Sequence, residues 1–244
     1  MLKLIMALSK ISKVSKVHPV EKIILSIFPI VVIGFSHKAF PIILNIIVFI
    51  LLHVLCENNR KVVVKFTFEI AAFAAFSSIT FVFDYGINYC FIILLKSLSA
   101  ALCLSFFSLT TPIDDALFIF SKYHWLKDIC DIAKSMERFL VIIDEEYGIL
   151  YNSIKARGGF DGVKLKIRNT GKMAGLLFVN TMNRWKCIKD GLDSRGYRGY
   201  TPYLTKEFNF SMLRFMAVCI YIVLLGSLIF VLNNNIISVT TFKV

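Results

Sequence analysis

Residues 208–232 read FNFSMLRFMAVCIYIVLLGSLIFVL, an almost unbroken apolar run whose one charge is Arg214. A helix rises 1.5 Å per residue and the bilayer's hydrocarbon core is about 30 Å thick, so roughly 20 such residues cross it. The run clears that length. It identifies an integral membrane protein.

The rest of the chain agrees with that class. Of its 244 residues 57% are hydrophobic, 23 are Phe, and only 18% are charged, which is too few to cover a soluble domain of this size. Four more apolar stretches precede the last one: Ile23–Phe35, Phe40–Cys56, Phe66–Phe83 and Ile87–Leu109. The first two are short, and a shallow helical pair is the alternative to two spans there. The expected fold is all-α and polytopic, with about five transmembrane helices. Three regions follow: residues 1–111 with four spans, a polar segment 112–206, and a C-terminal helix with its tail at 207–244.

Charge bias sets the expected topology. The net charge is +12. Lys3, Lys10, Lys13, Lys16 and Lys22 face a single acid, Glu21, in the first 22 residues, so the N-terminus is expected in the cytoplasm. Five spans then put Arg60, Lys61, Lys65 and the 112–206 segment inside. Ser36–Ala39, Asp84–Gly86 and the tail from Asn233 fall outside. Merging the first two stretches would reverse most of the protein. The basic residues thus suit anionic lipid rather than nucleic acid.

Lys96 stands nine residues into its apolar run, roughly 14 Å deep at 1.5 Å per residue. An ammonium there costs about 3 kcal/mol if it faces lipid, so it is expected to pair across the bundle, to meet a partner subunit, or to line a pathway. Cys56, Cys90, Cys103, Cys130, Cys187 and Cys219 are single and widely spaced, with no CxxC pair. They imply neither a metal site nor a disulfide framework.

Residues 112–206 hold 16 Lys or Arg and 11 Asp or Glu, yet stay rich in apolar residues. Ile132, Met136, Phe139, Ile143, Tyr147, Leu150 and Ile154 recur every three or four residues, which predicts an amphipathic helix that stops at Gly158-Gly159. Asp161–Thr170 reads as a turn or loop. A second helix is expected from near Gly171 to Leu192, with its stop at Ser194-Arg195-Gly196 followed by Gly199 and Pro202.

Each helix therefore ends in small–Arg–Gly: Ala156-Arg157-Gly158 and Ser194-Arg195-Gly196, with Phe160 or Tyr197 close behind. Gly terminates a helix, the small residue allows close approach, and Arg offers a planar fork of five donors. Two readings stand at this point: plain capping, or docking to a cytoplasmic partner.

Three features in order resemble the transmembrane T component of energy-coupling factor (ECF) transporters, the CbiQ/EcfT-like family. The fourth span runs into Thr110-Thr111-Pro112, Glu145 and Glu146 precede the first triplet at a similar distance, and the twin triplets match the signatures ending the family's two coupling helices. His18-Pro19 is similar to the family's lead-in to its first span. Ser194 departs from the more typical Ala, and Gly159 is expected to loosen the end of the first helix.

The resemblance implies a transmembrane coupling subunit of an ATP-driven importer in the cell membrane. Ala156, Arg157, Gly158, Ser194, Arg195 and Gly196 would bind two cytoplasmic ATPase subunits. The protein would also hold a small substrate-binding membrane subunit. The chain would bind no cofactor itself, ATP-Mg belonging to the ATPases. Cobalt ion is the expected cargo, with vitamin or nickel uptake, or an unrelated ABC-type permease subunit, as alternatives. The chain is not expected to be an enzyme: it has no GxxxxGK[ST] loop, and His18, His37, His53 and His124 show no paired spacing. A stand-alone permease is the weaker rival, since few polar residues are available to line a path.

Overall fold

The computed structural model describes residues 2–12, 14–15, 17–196, 208 and 210–240. Lys13 and Lys16 of the basic arm, and Tyr197, Gly199 and Pro202 after the second triplet, lie outside the described residues. Among the described residues the structure is all-helical. Its helices are α1 (Leu2–Ile11), α2 (Pro19–Gly34), α3 (Ala39–Leu55), α4 (Arg60–Tyr85), α5 (Ile87–Thr110), α6 (Ile113–Phe120), α7 (Lys127–Ala156), α8 (Val163–Ser194) and α9 (Met212–Thr240), with a short 3₁₀ turn at His124–Leu126.

Three of them, within α4, α5 and α9, are long and apolar enough to cross a membrane, while α3 is apolar but shorter. Large side chains such as Phe73, Phe76 and Leu213 stand about three-quarters exposed. Such a surface suits lipid, not water. The protein is a polytopic membrane protein.

The chain divides into two compact units, Met1–Ala116 with Thr205–Val244, and Leu117–Leu204. In the first, α5 is the central helix, packing against α1, α2, α3 and α4, while α2 and α3 also meet α9. One core cluster joins Phe49, Val63, Leu102, Cys103, Phe106 and Leu109, and a second joins Ile33, Ile42, Leu225 and Ile229. Apolar packing gives little drive to association in lipid, so polar contacts between helices carry much of the specificity. Asn45 of α3 donates to Ser99 of α5 at 2.7 Å and accepts from the Tyr221 hydroxyl of α9.

Helix ends in the first unit are closed by side chains, both local and from other helices. Pro19 is the first residue of α2, where its missing N–H costs nothing, and His18 Nδ1 accepts from Val20 N at 3.3 Å. Buried Glu21 accepts from Ser211 N–H, just before α9, at 3.2 Å. Its neighbour Lys22 donates to the Thr110 carbonyl at the last residue of α5, at 2.8 Å. The carboxylate thus meets the positive end of one helix and the ammonium meets the negative end of another.

Several boundaries differ from the sequence expectations. α4 starts at Arg60, so the basic residues expected in a loop form its first turns. The connection from α4 to α5 shrinks to Gly86, whose φ of +79° only glycine adopts without strain. α9 continues to Thr240, through residues expected as a tail after Asn233.

Lys96 donates to the Gly34 carbonyl at the end of α2, at 2.8 Å, so it pairs across the bundle. That contact also places the α2–α3 connection level with Lys96, roughly 14 Å along α5 from its first residue. Ser36, expected in an outer loop, is buried there.

Candidate partner-docking site

The second unit is built on α7 and α8. The apolar stripe of α7 forms as its periodicity predicts, and it shares a groove of about 640 Å³ with α8. Ile132, Met136 and Phe139 line one wall, and Met182 and Trp185 the other. Met136 and Ile132 remain about 60% exposed, so the two helices do not cover each other's apolar faces.

α8 begins at Val163, eight residues earlier than Gly171, so most of the expected loop at Asp161–Thr170 is helical. The physical reason lies in Gly162, whose φ of +90° turns the chain, followed by Val163-Lys164-Leu165-Lys166-Ile167-Arg168, a run dominated by good helix formers. Gly171 sits inside the helix rather than before it. Only 157–162 remain as the connection.

Both small–Arg–Gly triplets adopt the same cap. Arg157 follows α7 with φ −92° and ψ 12°; Arg195 follows α8 with φ −93° and ψ 9°. Gly158 and Gly196 then take φ +66° and +70°. Gly158 N–H donates to the Lys155 carbonyl at 3.1 Å, and Gly196 N–H to Asp193 at 3.1 Å. At the first cap Gly159 N–H adds a bond back to Ile154 at 3.0 Å, which completes a Schellman motif.

Gly159 therefore tightens the end it was expected to loosen. A Cβ on it would lie 2.5 Å from Ile154 Cγ2 and 2.9 Å from the Ile154 carbonyl oxygen. Asn169 of α8 donates to the Gly159 carbonyl at 2.7 Å, fixing the turn from the far side. The Ser194 hydroxyl donates back to Asp190 at 2.7 Å, so it is spent within its own helix.

Capping by glycine and availability of arginine coexist. Ala156, Arg157, Ser194 and Arg195 are all exposed. Among the described residues neither Arg157 nor Arg195 has a side-chain hydrogen bond or ion pair. α8 is 32 residues long, so its two ends, each beside a triplet, stand roughly 48 Å apart.

Glu146 turns inward instead. It accepts from Asn180 at 2.8 Å and from Arg184 at 2.8 Å, binding α7 to α8. Neither Asn180 nor Arg184 carries a sequence signal for this role. Tyr147, Tyr151 and Phe160 stack in series with centroids 5.9 Å and 5.0 Å apart, leading toward the first cap. Among the described residues no group of three or more His, Cys, Asp or Glu could hold a metal ion. His53 serves the first unit's packing, with Nε2 3.0 Å from Ser105 Oγ, and His18 lies edge-on to Phe208 and Phe210.

Residues 1–206 match the family model for CbiQ, cobalt transport protein. The chain is also similar to a protein of Methanocorpusculum labreanum named as a fused cobalt transport protein, CbiMQ. The two are 26% identical over 138 residues, which make up 57% of this chain and 23% of that relative.

Proposed function

The chain belongs to the cobalt transport protein family CbiQ, and from that membership we propose that it couples two cytoplasmic ATPases to a small substrate-binding membrane subunit. As a member of a transport-protein family it is itself a non-catalytic membrane subunit. In this reading it forms part of an ECF-type importer in the cell membrane, with the N-terminus in the cytoplasm. ATP-Mg is held by the ATPases and the cargo is cobalt ion.

The observation that carries the reading is the pair of caps whose Arg and Gly share the same backbone dihedrals. Helix termination needs only the glycine, yet each cap also presents an exposed arginine that the described residues leave without a partner. A guanidinium suits a carboxylate-lined groove on a second protein, where its fork makes two parallel hydrogen bonds. Two such points at opposite ends of α8 suit two separate ATPase subunits better than one. Movement of the ATPases would pass through Ala156-Arg157-Gly158 and Ser194-Arg195-Gly196 into α7 and α8. The Glu146 clamp would then make the two helices respond together.

The apolar groove between α7 and α8 supports a seat for the substrate-binding subunit. Its methionines adapt to varied surfaces, and Trp185 supplies a large anchor. Cobalt follows from the family and from the name of the relative, not from any residue of this chain.

Affinity purification of the tagged chain from membranes in mild detergent, with mass spectrometry of what accompanies it, tests this reading. One or two ATPases together with a small hydrophobic subunit are expected. Radioactive cobalt uptake by the reassembled complex then tests the cargo, with nickel and vitamins as competitors. Recovery of the chain without any ATPase, even after crosslinking, would remove the coupling role.

A further inference from the structure

The first unit holds a second groove, independent of the coupling reading, between α3, α4 and α5. Its volume is about 660 Å³, and its walls are aliphatic or aromatic, including Val54, Val64, Phe68 and Leu98. Val54, Val64 and Phe68 are between half and three-quarters exposed, so the groove opens sideways from the helix bundle. Thr67, on the same face, spends its hydroxyl on the Val63 carbonyl at 2.8 Å. His53, the other polar residue along the walls, is buried and meets Ser105 Oγ at 3.0 Å and the Asn58 amide at 2.9 Å, so the walls offer no unengaged polar side chain to fix the register of a protein helix.

One end of the groove differs. Asn58 and Arg60 line it there. Asn58 is rigidly placed: its backbone N–H donates to the His53 carbonyl at 3.2 Å and its amide meets His53 Nδ1 at 2.9 Å. Arg60 opens α4, and Lys61 and Lys65 follow within two turns. Of the nearby acids, Glu69 sits 3.9 Å from Lys65, while Glu57, three residues before Arg60, is itself engaged. Among the described residues Arg60 and Lys61 have no ion-pair partner.

An apolar channel that opens to the side, with a planar cation and an amide at one end, matches an amphiphile with a negative head. We propose that this groove binds an anionic phospholipid, one acyl chain lying between α3 and α4 and its phosphate held by Arg60 and Asn58. The guanidinium suits phosphate because it can donate two parallel hydrogen bonds. Basic residues at the membrane surface also attract anionic lipid generally, so the groove and the charge must be tested separately.

The full chain is reconstituted in nanodiscs of equal phosphatidylcholine and phosphatidylglycerol, re-extracted, and its retained lipid identified by mass spectrometry. Phosphatidylglycerol is expected to be enriched several-fold over its share of the bilayer. Arg60→Gln should return the ratio to that of the bulk, and Ala71→Trp, which fills the groove from a residue of its wall without changing charge, should do the same. Val64→Trp replaces Ala71→Trp if that variant does not elute as a folded species. Arg214→Gln, a basic residue on another helix, should leave the enrichment intact. A wild-type ratio equal to the bulk overturns the proposal. So does enrichment that survives groove filling, which would mark it as surface charge alone, or a crosslinked protein segment occupying the groove in the whole complex.

Discussion

The ammonium of Lys96 lies 2.8 Å from the carbonyl oxygen of Gly34, the last residue of α2. The last carbonyls of any helix lack intrahelical partners, and within lipid no water replaces them. α2 is only 16 residues long and ends partway along α5, so its terminus needs partners from the protein. Lys96 supplies one, and Asn233 of α9 supplies another by donating to the Phe35 carbonyl at 2.9 Å. A cation at this negative helix pole accounts for a charged residue in an apolar run without invoking a transport path.

Replacing Lys96 by Met should therefore lower stability rather than transport. A hydrogen bond from a charged donor contributes about 1.5–3 kcal/mol. Thermal unfolding in detergent should show a loss of that order, while uptake per folded complex should stay near wild type. Uptake that collapses with stability unchanged would return Lys96 to the role of pathway residue.

The glycines of the two caps should rank by their surroundings. Gly158 and Gly196 both need positive φ, which costs another residue roughly 1–2 kcal/mol. Gly158→Ala meets the Asp161 carboxylate at 2.9 Å, a flexible group, whereas Gly196→Ala meets nothing within 4 Å. Gly159→Ala collides with Ile154, including its backbone, and should be the most damaging. Amide hydrogen exchange across the ends of α7 and α8 checks the order, with Gly159→Ala opening its helix end most and Gly196→Ala least.

Much of this architecture was legible because membrane helices need long apolar runs, and helix stops need glycine. α5 and the end of α7 fall where those signals put them. The misreadings have physical causes. Gly171 resembles a helix start, but the good helix formers before it carried α8 straight through it. The partner of Lys96 was invisible because it is a backbone carbonyl 62 residues away, and any residue at position 34 would have supplied one. Likewise Asn180 and Arg184 look like ordinary polar residues until folding brings both to Glu146. The twin triplets were visible as a pattern, while their shared dihedrals were not.

The Glu146 clamp can be weighed by a double-mutant cycle with Arg184. Glu146 is 13% exposed and Arg184 47%, so solvent screens the pair in part and about 1 kcal/mol of coupling is expected. Glu146→Gln keeps the possibility of accepting from Asn180 and should cost less than Glu146→Ala. If the clamp transmits motion between α7 and α8, ATP hydrolysis in the assembled complex should continue in Glu146→Ala while uptake per ATP falls. Equal losses in both would make the contact merely structural.

Arg157 and Arg195 supply the sharpest test of the docking role, because changing them should leave the chain itself intact. Neither side chain has a partner among the described residues, and the caps are closed by backbone bonds from glycine. Arg157→Ala and Arg195→Ala should therefore unfold at the wild-type temperature. Recruitment of ATPase should nevertheless fall in steps, since truncating one member of a buried interfacial charge pair costs about 2–5 kcal/mol. Lysine at either position keeps the charge but loses the fork, so Arg→Lys should fall between wild type and Ala. Pull-down of purified ATPases against each variant measures this directly. If both single variants and the double variant bind as the wild type does, the arginines are ornaments on a glycine cap and docking must lie elsewhere on α7 and α8.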